Sequence, residues 1–278
     1  MTVVLGLLAA LFYGVGDFAG GFASRRNGAL TVLLWSYPVG ALLMTIMLPF
    51  FAGGIDGRVV GFGIAGGVAG MVGVVVMYDL MTVAPMNVVS PVTAVLAAIV
   101  PVVVGVSIGE RPHVSAWFGI LLGLAAIALV SRTSETNPHG HVGPRVLALA
   151  LLSGLGFGFY FVFLARAGGH TGLWPLVVSR YASALLIIPL AKARGALIPI
   201  RNARAFAVVI AAGAFDALAN MFFLLATHTG LLSLASVLTS LYPVTTVVLA
   251  VTFLREHTTP VQRAGLVLAA GAVVLITV

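Results

Sequence analysis

Apolar runs of about 20 residues alternate with short polar breaks along the whole sequence, a length that matches the hydrocarbon thickness of a bilayer when wound as a helix. None shows the ten-residue apolar/polar alternation of barrel strands, so the runs predict membrane-spanning helices. Ten spans are predicted, at 2–23, 28–50, 59–82, 87–107, 114–131, 146–167, 172–191, 205–228, 231–254 and 260–278. Most breaks between them are a few residues long. The longest polar one, 132–145 (RTSETNPHGHVGPR), leaves five spans on either side.

The pattern also returns. The stretch from Ala97 to Ser131 is an apolar run, a turn Gly109-Glu110-Arg111-Pro112-His113, and a second apolar run carrying Gly119 and Gly123. Displaced by 146 positions, Glu110 falls on Glu256, Gly119 on Gly265, Leu122 on Leu268, Ala126 on Ala272 and Leu129 on Leu275. At 144, Gly14 falls on Gly158 and Tyr37 on Tyr181; at 145, Thr82 falls on Thr227. Drift of a residue or two is what changes in loop length produce. An odd number of spans per repeat forces the halves into opposite membrane orientations, so the fold expected is all-α and integral to the membrane. It has ten transmembrane helices in two inverted five-helix repeats. The expected units are 1–131, a linker 132–145, and 146–278.

Composition sharpens this class. The chain is 61% hydrophobic and 8% charged, where a soluble domain carries about 25% charged residues; mean hydropathy is +1.17. Fourteen Lys and Arg against seven Asp and Glu leave a net charge of +7. In a soluble protein that balance points to nucleic acid, but here the cations are scattered over short loops, where they meet lipid headgroups and set topology. No cysteine is present, so no disulfide or thiol chemistry is expected. Met1 to Tyr13 lacks a basic leader, so it reads as a retained first span.

Small residues and prolines bear on how the helices meet. Gly63-Gly67 and Gly66-Gly70 on one predicted span, with Gly119-Gly123 and Gly154-Gly158 elsewhere, have the spacing that lets helices approach closely in lipid. Pro91, Pro101 and Pro243 lie inside predicted spans and are expected to kink them.

Charges inside spans carry the functional information. Counting at the helical rise, Asp216 lies about 16 Å into its span, Arg180 about 12 Å and Asp17 about 22 Å. Asp79 lies near an edge. A charge near the midplane costs several kcal/mol unless it is paired or wet. A polar cavity between the repeats would meet that need. Arg180 is placed to pair with Asp216, Asn220 follows Asp216 by one turn, and Tyr13 precedes Asp17 by one turn. Tyr37 and Tyr181 are repeat-related aromatics. The substrate-binding residues expected are therefore Tyr13, Asp17, Tyr37, Arg180, Tyr181, Asp216 and Asn220. Burial favours the neutral form of a carboxyl group, which makes Asp216 and Asp17 the expected proton carriers. An Arg180–Asp216 pair that only fixes packing stays open as the alternative. Glu110 and Glu256, at helix–turn–helix junctions, are expected to cap and anchor.

Other chemistries find no residues. The histidines (113, 139, 141, 170, 228 and 257) fall at span ends or in loops. His139 and His141 alone are an incomplete metal site. No catalytic cluster or phosphate-binding loop is present, so no enzyme, metal or cofactor is expected.

In this order, these residues resemble the drug/metabolite transporter superfamily, in its EamA-type branch, over nearly the whole chain. The resemblance rests on Gly109-Glu110-Arg111 with Gly119, on Arg255-Glu256 with Gly265, on Tyr13-Gly14, and on Phe163-Leu164-Ala165-Arg166 followed by Arg180. Ser36 departs from it, standing where the first repeat would carry an arginine, and Asp17 and Asp216 lie outside the pattern. The resemblance implies a secondary exporter of small metabolites or amino acids, proton-coupled, in the inner membrane. Its partners would be substrate, protons and lipid, with no nucleic acid, and duplication removes the need for a dimer. A membrane-embedded enzyme on lipid-linked substrates, or a passive channel or scramblase, is the alternative. The resemblance also implies cytoplasmic termini. That would leave Arg58, Arg111 and Arg166 on cytoplasmic loops and ten basic residues on the other side, the reverse of the positive-inside rule.

Overall fold

The computed structural model describes residues 1–83, 86–130, 144–254 and 258–277, with side chains undescribed at 25, 26, 78, 81–83, 86–92, 250 and 254. Every element among them is helical. In chain order these are α1 (Thr2–Asn27), α2 (Ala29–Met47), α3 (Gly57–Val83), α4 (Met86–Ser107), α5 (Val114–Val130), α6 (Pro144–Arg166), α7 (Trp174–Ala193), α8 (Ala203–Thr229), α9 (Leu232–Thr239), α10 (Tyr242–Leu254) and α11 (Pro260–Thr277). A 3-10 turn, Leu48–Phe50, continues α2. Among the described residues, eight helical segments are long and apolar enough to cross a membrane, and two shorter apolar stretches occupy Thr93–Ser107 and Val114–Val130.

Most helices start and stop within a few residues of the expected spans, because the apolar run itself sets the length. The span expected at 231–254 is different. It is two helices, α9 and α10, separated at Ser240 and Leu241. Pro243 therefore sits in the first turn of α10. There a missing backbone N–H costs no hydrogen bond, and the proline begins a helix where a kink was expected.

Each helix of the first half finds its main neighbours in the second. α1 lies along α8, α3 along α6 and α7, α5 along α11, α2 against α7 and α8, and α4 against α6 and α9. The glycines explain the closeness. On α3, Gly63 and Gly67 meet α7, and a methyl group on Gly67 would reach within 2.6 Å of the Ser179 carbonyl. Gly66 and Gly70, offset on the same helix, instead meet Tyr160 of α6. The two overlapping pairs thus serve two different partners. Ser153 and Ser183 fasten these contacts by donating to the carbonyls of Gly73 and Gly67, at 2.8 and 3.1 Å.

The charged turn at 109–113 has a role larger than a local anchor. Glu110 accepts the backbone N–H groups of Leu232 and Ser233, at 2.5 and 3.0 Å. It caps the start of α9 from 122 residues away, satisfying donors that a helix cannot satisfy itself. At the same end of the bundle the Thr2 and Thr229 hydroxyls are 3.1 Å apart, and Arg58 donates to the Arg166 carbonyl at 3.1 Å. At the other end Asp79 pairs with Arg194, both part-exposed. Glu256, His139, His141 and most of 132–145 lie outside the described residues.

Candidate functional site: a polar cluster inside the bundle

Asp216 stands midway along α8, 13 residues from either end of Ala203–Thr229. The Arg180 guanidinium reaches it from α7, with Nη1 donating to Asp216 Oδ2 at 2.5 Å and Nη2 directed at the Asp216 carbonyl at 3.4 Å. The two partners are unequally exposed. The Arg180 side chain is 5% accessible and that of Asp216 38%. The face of Tyr37 lies beneath the guanidinium, 5.9 Å from Cζ to the ring centroid, a cation–π distance.

Asn220, one turn further along α8 and 1% exposed, ties this pair to two other helices. Its Nδ2 donates to the Asp216 carbonyl at 2.7 Å and faces Oδ1 at 3.4 Å. Its Oδ1 accepts the hydroxyls of Tyr13 from α1 and Tyr160 from α6, each at 2.5 Å. The amide is fully used, as burial requires. Four helices are thereby joined through one carboxylate and one amide.

Asp17 is placed differently. It is exposed, yet it faces into the bundle. On α1, Gly14 is pressed against Tyr242 and Thr245 of α10, and Gly16 against Ala212 and Asp216 of α8. At 100° per residue Asp17 falls between those two faces of α1. Val4, Leu11 and Phe22, the exposed large apolar residues of α1 after Met1, lie roughly 120–140° round the helix from it at 100° per residue. Its electrostatic neighbours are Asp216, Tyr242 and Tyr13. Among the described residues it has no hydrogen bond and no ion pair.

Of the residues expected from sequence, Tyr13, Asp17, Tyr37, Arg180, Asp216 and Asn220 are therefore brought together. Tyr181 is not. It is 46% exposed and its hydroxyl lies 3.2 Å from that of Thr45. The residue next to Arg180 on a helix points about 100° away from it, so both cannot face the same cluster. Tyr160 and Tyr242 were not expected and belong here. Each is a tyrosine well inside an apolar run, the same signal that singled out Tyr13. Two cavities, of about 200 and 310 Å³, lie at the ends of the bundle, one beside Arg58, Glu110 and Arg166 and the other beside Asn27, Asn202 and Arg204. Neither includes the cluster. Among the described residues no group of His, Cys, Asp and Glu has the makings of a metal site.

A family model described as the EamA-like transporter family matches residues 1–132 and again 144–278. The chain belongs to that family. A solved structure described as "Crystal structure of protein" is similar to this EamA-like transporter with a TM-score of 0.80 at 17% identity, over 99% of this chain and 96% of that one. At that identity the likeness speaks to the fold. Comparison with curated proteins gives no match. As an EamA-like protein with these apolar helices, the chain is an integral, multi-pass membrane transporter of small molecules.

Proposed function

We propose that this EamA-like protein is a secondary active transporter, working by alternating access and exporting small metabolites or amino acids across the plasma (inner) membrane against a returning proton. The observation that carries this reading is the cluster itself. Asp17, Arg180 and Asp216 are charged residues within helices that otherwise keep their described charges near their ends, and such charges mark transport paths. The pairing of helices supports two inverted five-helix repeats, 1–131 and 146–278, joined by 132–145. Exchanging the halves turns the α1–α8 pair into α6–α3 and maps the α5–α11 pair onto itself, and all of these pairs are in contact. The break between α9 and α10 adds a discontinuous helix, a recurrent feature of transporter sites. With the halves already interlocked, one chain suffices as the working unit.

The two aspartates divide the labour. Asp216 is held by Arg180 and Asn220, which supports it as a packing partner. Asp17 has no such partner, which supports it as the proton carrier. The test is uptake into liposomes containing the purified protein, driven by a pH gradient. Wild type should accumulate substrate uphill and Asp17→Asn should not. Equilibration without accumulation would mean a passive pathway. Because the chain lacks cysteine, orientation can be read by labelling from outside. Reaction at Ala193→Cys but not Gly57→Cys means cytoplasmic termini, and the reverse pattern follows the charge rule.

A further inference from the structure

We propose that the substrate is a monovalent organic cation, a protonated amine on an aromatic or apolar body, which binds at Asp17 in exchange for a proton. This deepens the transporter reading above and rests on it.

The charge count of the cluster comes first. Two carboxylates and one guanidinium leave one negative charge uncompensated, and geometry says which. The Arg180 charge is taken by Asp216 and is 5% accessible. An incoming anion would meet a guanidinium already neutralised by Asp216, with its buried Nε left without a hydrogen-bond partner among the described residues. The Asn220 amide has its Oδ1 taken by two hydroxyls and its Nδ2 directed at Asp216. Asp17 alone offers a charge that is exposed and unpartnered among the described residues.

The charges and titratable groups facing Asp17 are few. Asp216 faces it from α8, with Arg180 of α7 behind, Tyr242 from α10, and Tyr13 from its own helix. Among the described residues none is an available cation. A carboxylate in such a place is satisfied either by a proton or by a cation from solution, and the two exclude each other.

The surroundings define the body of the ligand. Tyr13 and Tyr242 are half-buried, with ring centroids 6.0 Å apart. Phe161 stands 6.2 Å from Tyr13. Aromatic faces beside a carboxylate suit an ammonium with an apolar tail, through cation–π attraction and burial. A zwitterion would bring a carboxylate into a site that already carries net negative charge.

Three probes of one shape and different charge test this: 2-phenylethylammonium, phenylalanine and 3-phenylpropionate. Binding to the purified full-length protein in detergent is measured by calorimetry. The ammonium should bind at least about tenfold more tightly than either other probe. It should release close to one proton per molecule bound in weakly buffered solution, with affinity falling about tenfold per pH unit where the proton competes. Asp17→Asn should abolish binding and proton release, Asp17→Glu should restore both, and Tyr242→Leu should weaken binding about threefold or more. Preference for phenylalanine or the anion, equal binding by Asp17→Asn, or no binding of the ammonium overturns the proposal. The wild-type ranking of the three probes stands even if a variant fails to fold. Gradient-driven accumulation of phenylalanine alone would keep the transporter and refute the cation. Ammonium binding with proton release but no accumulation would keep the site and refute the transporter.

Discussion

Asp216 and Asp17 are carboxylates on adjacent helices, close enough to feel one another's charge, and they stand in opposite circumstances. Asp216 is clasped by an arginine and an asparagine amide and, through that amide, joined to two tyrosines. Asp17 has none of this. A buried ion pair that is broken leaves a stranded charge, whereas an exposed, unpartnered carboxylate can change its state without disturbing the fold. The difference separates a group that holds the helices together from one that is free to exchange.

The comparison breaks first at Asp216. Asp216→Asn leaves Arg180 buried and uncompensated, and should lower stability in detergent unfolding by about 3 kcal/mol. Arg180→Met should cost less, because the carboxylate left behind is 38% accessible and can be hydrated. The opposite ranking would mean that Arg180 is the better solvated partner. Next comes Asn220→Ala, which deprives Tyr13 and Tyr160 of their shared acceptor and should cost about 1–3 kcal/mol in the same measurement. Glu110→Ala removes the cap of α9 and should cost about 1 kcal/mol, with proteolysis between α8 and α9 accelerated. Asp17→Asn should shift stability by less than about 0.5 kcal/mol while gradient-driven uptake is lost. A large loss of stability there would erase the contrast with Asp216. Tyr181→Phe should change neither stability nor uptake, since among the described residues its hydroxyl meets only Thr45, at the surface of the bundle.

Several of these positions were legible before any coordinates. Asp216, Arg180 and Asp17 announce themselves because depth in a span is counted along the chain, and a charge at that depth needs a reason. Asn220 and Tyr13 follow from the helical period, one turn from an aspartate. Tyr181 shows the limit of repeat symmetry. It maps onto Tyr37, but in the second repeat the neighbouring Arg180 takes the inward direction. Ser36, the counterpart of Arg180, shows the same asymmetry from the other side. It is buried with its backbone against Gly213, where an added Cβ would lie 2.5 Å from the Ser36 carbonyl, and it carries no charge to the cluster.

The sequence by itself determined the membrane class, the approximate ends of most helices, the duplicated pattern and the charges that do not belong in lipid. All of these depend on residues near one another along the chain: a run of apolar side chains, a helical step, a displacement of about 145 positions. Only the tertiary structure decided that Tyr160 and Tyr242 join the cluster, that Glu110 caps a helix 122 residues away, that the ninth run breaks at Ser240–Leu241, and that Asp17 is left without a partner among the described residues. Those facts depend on which helix faces lie against one another. That is settled by the close approach of glycine-bearing surfaces between the two halves, a contact that no local stretch of sequence contains.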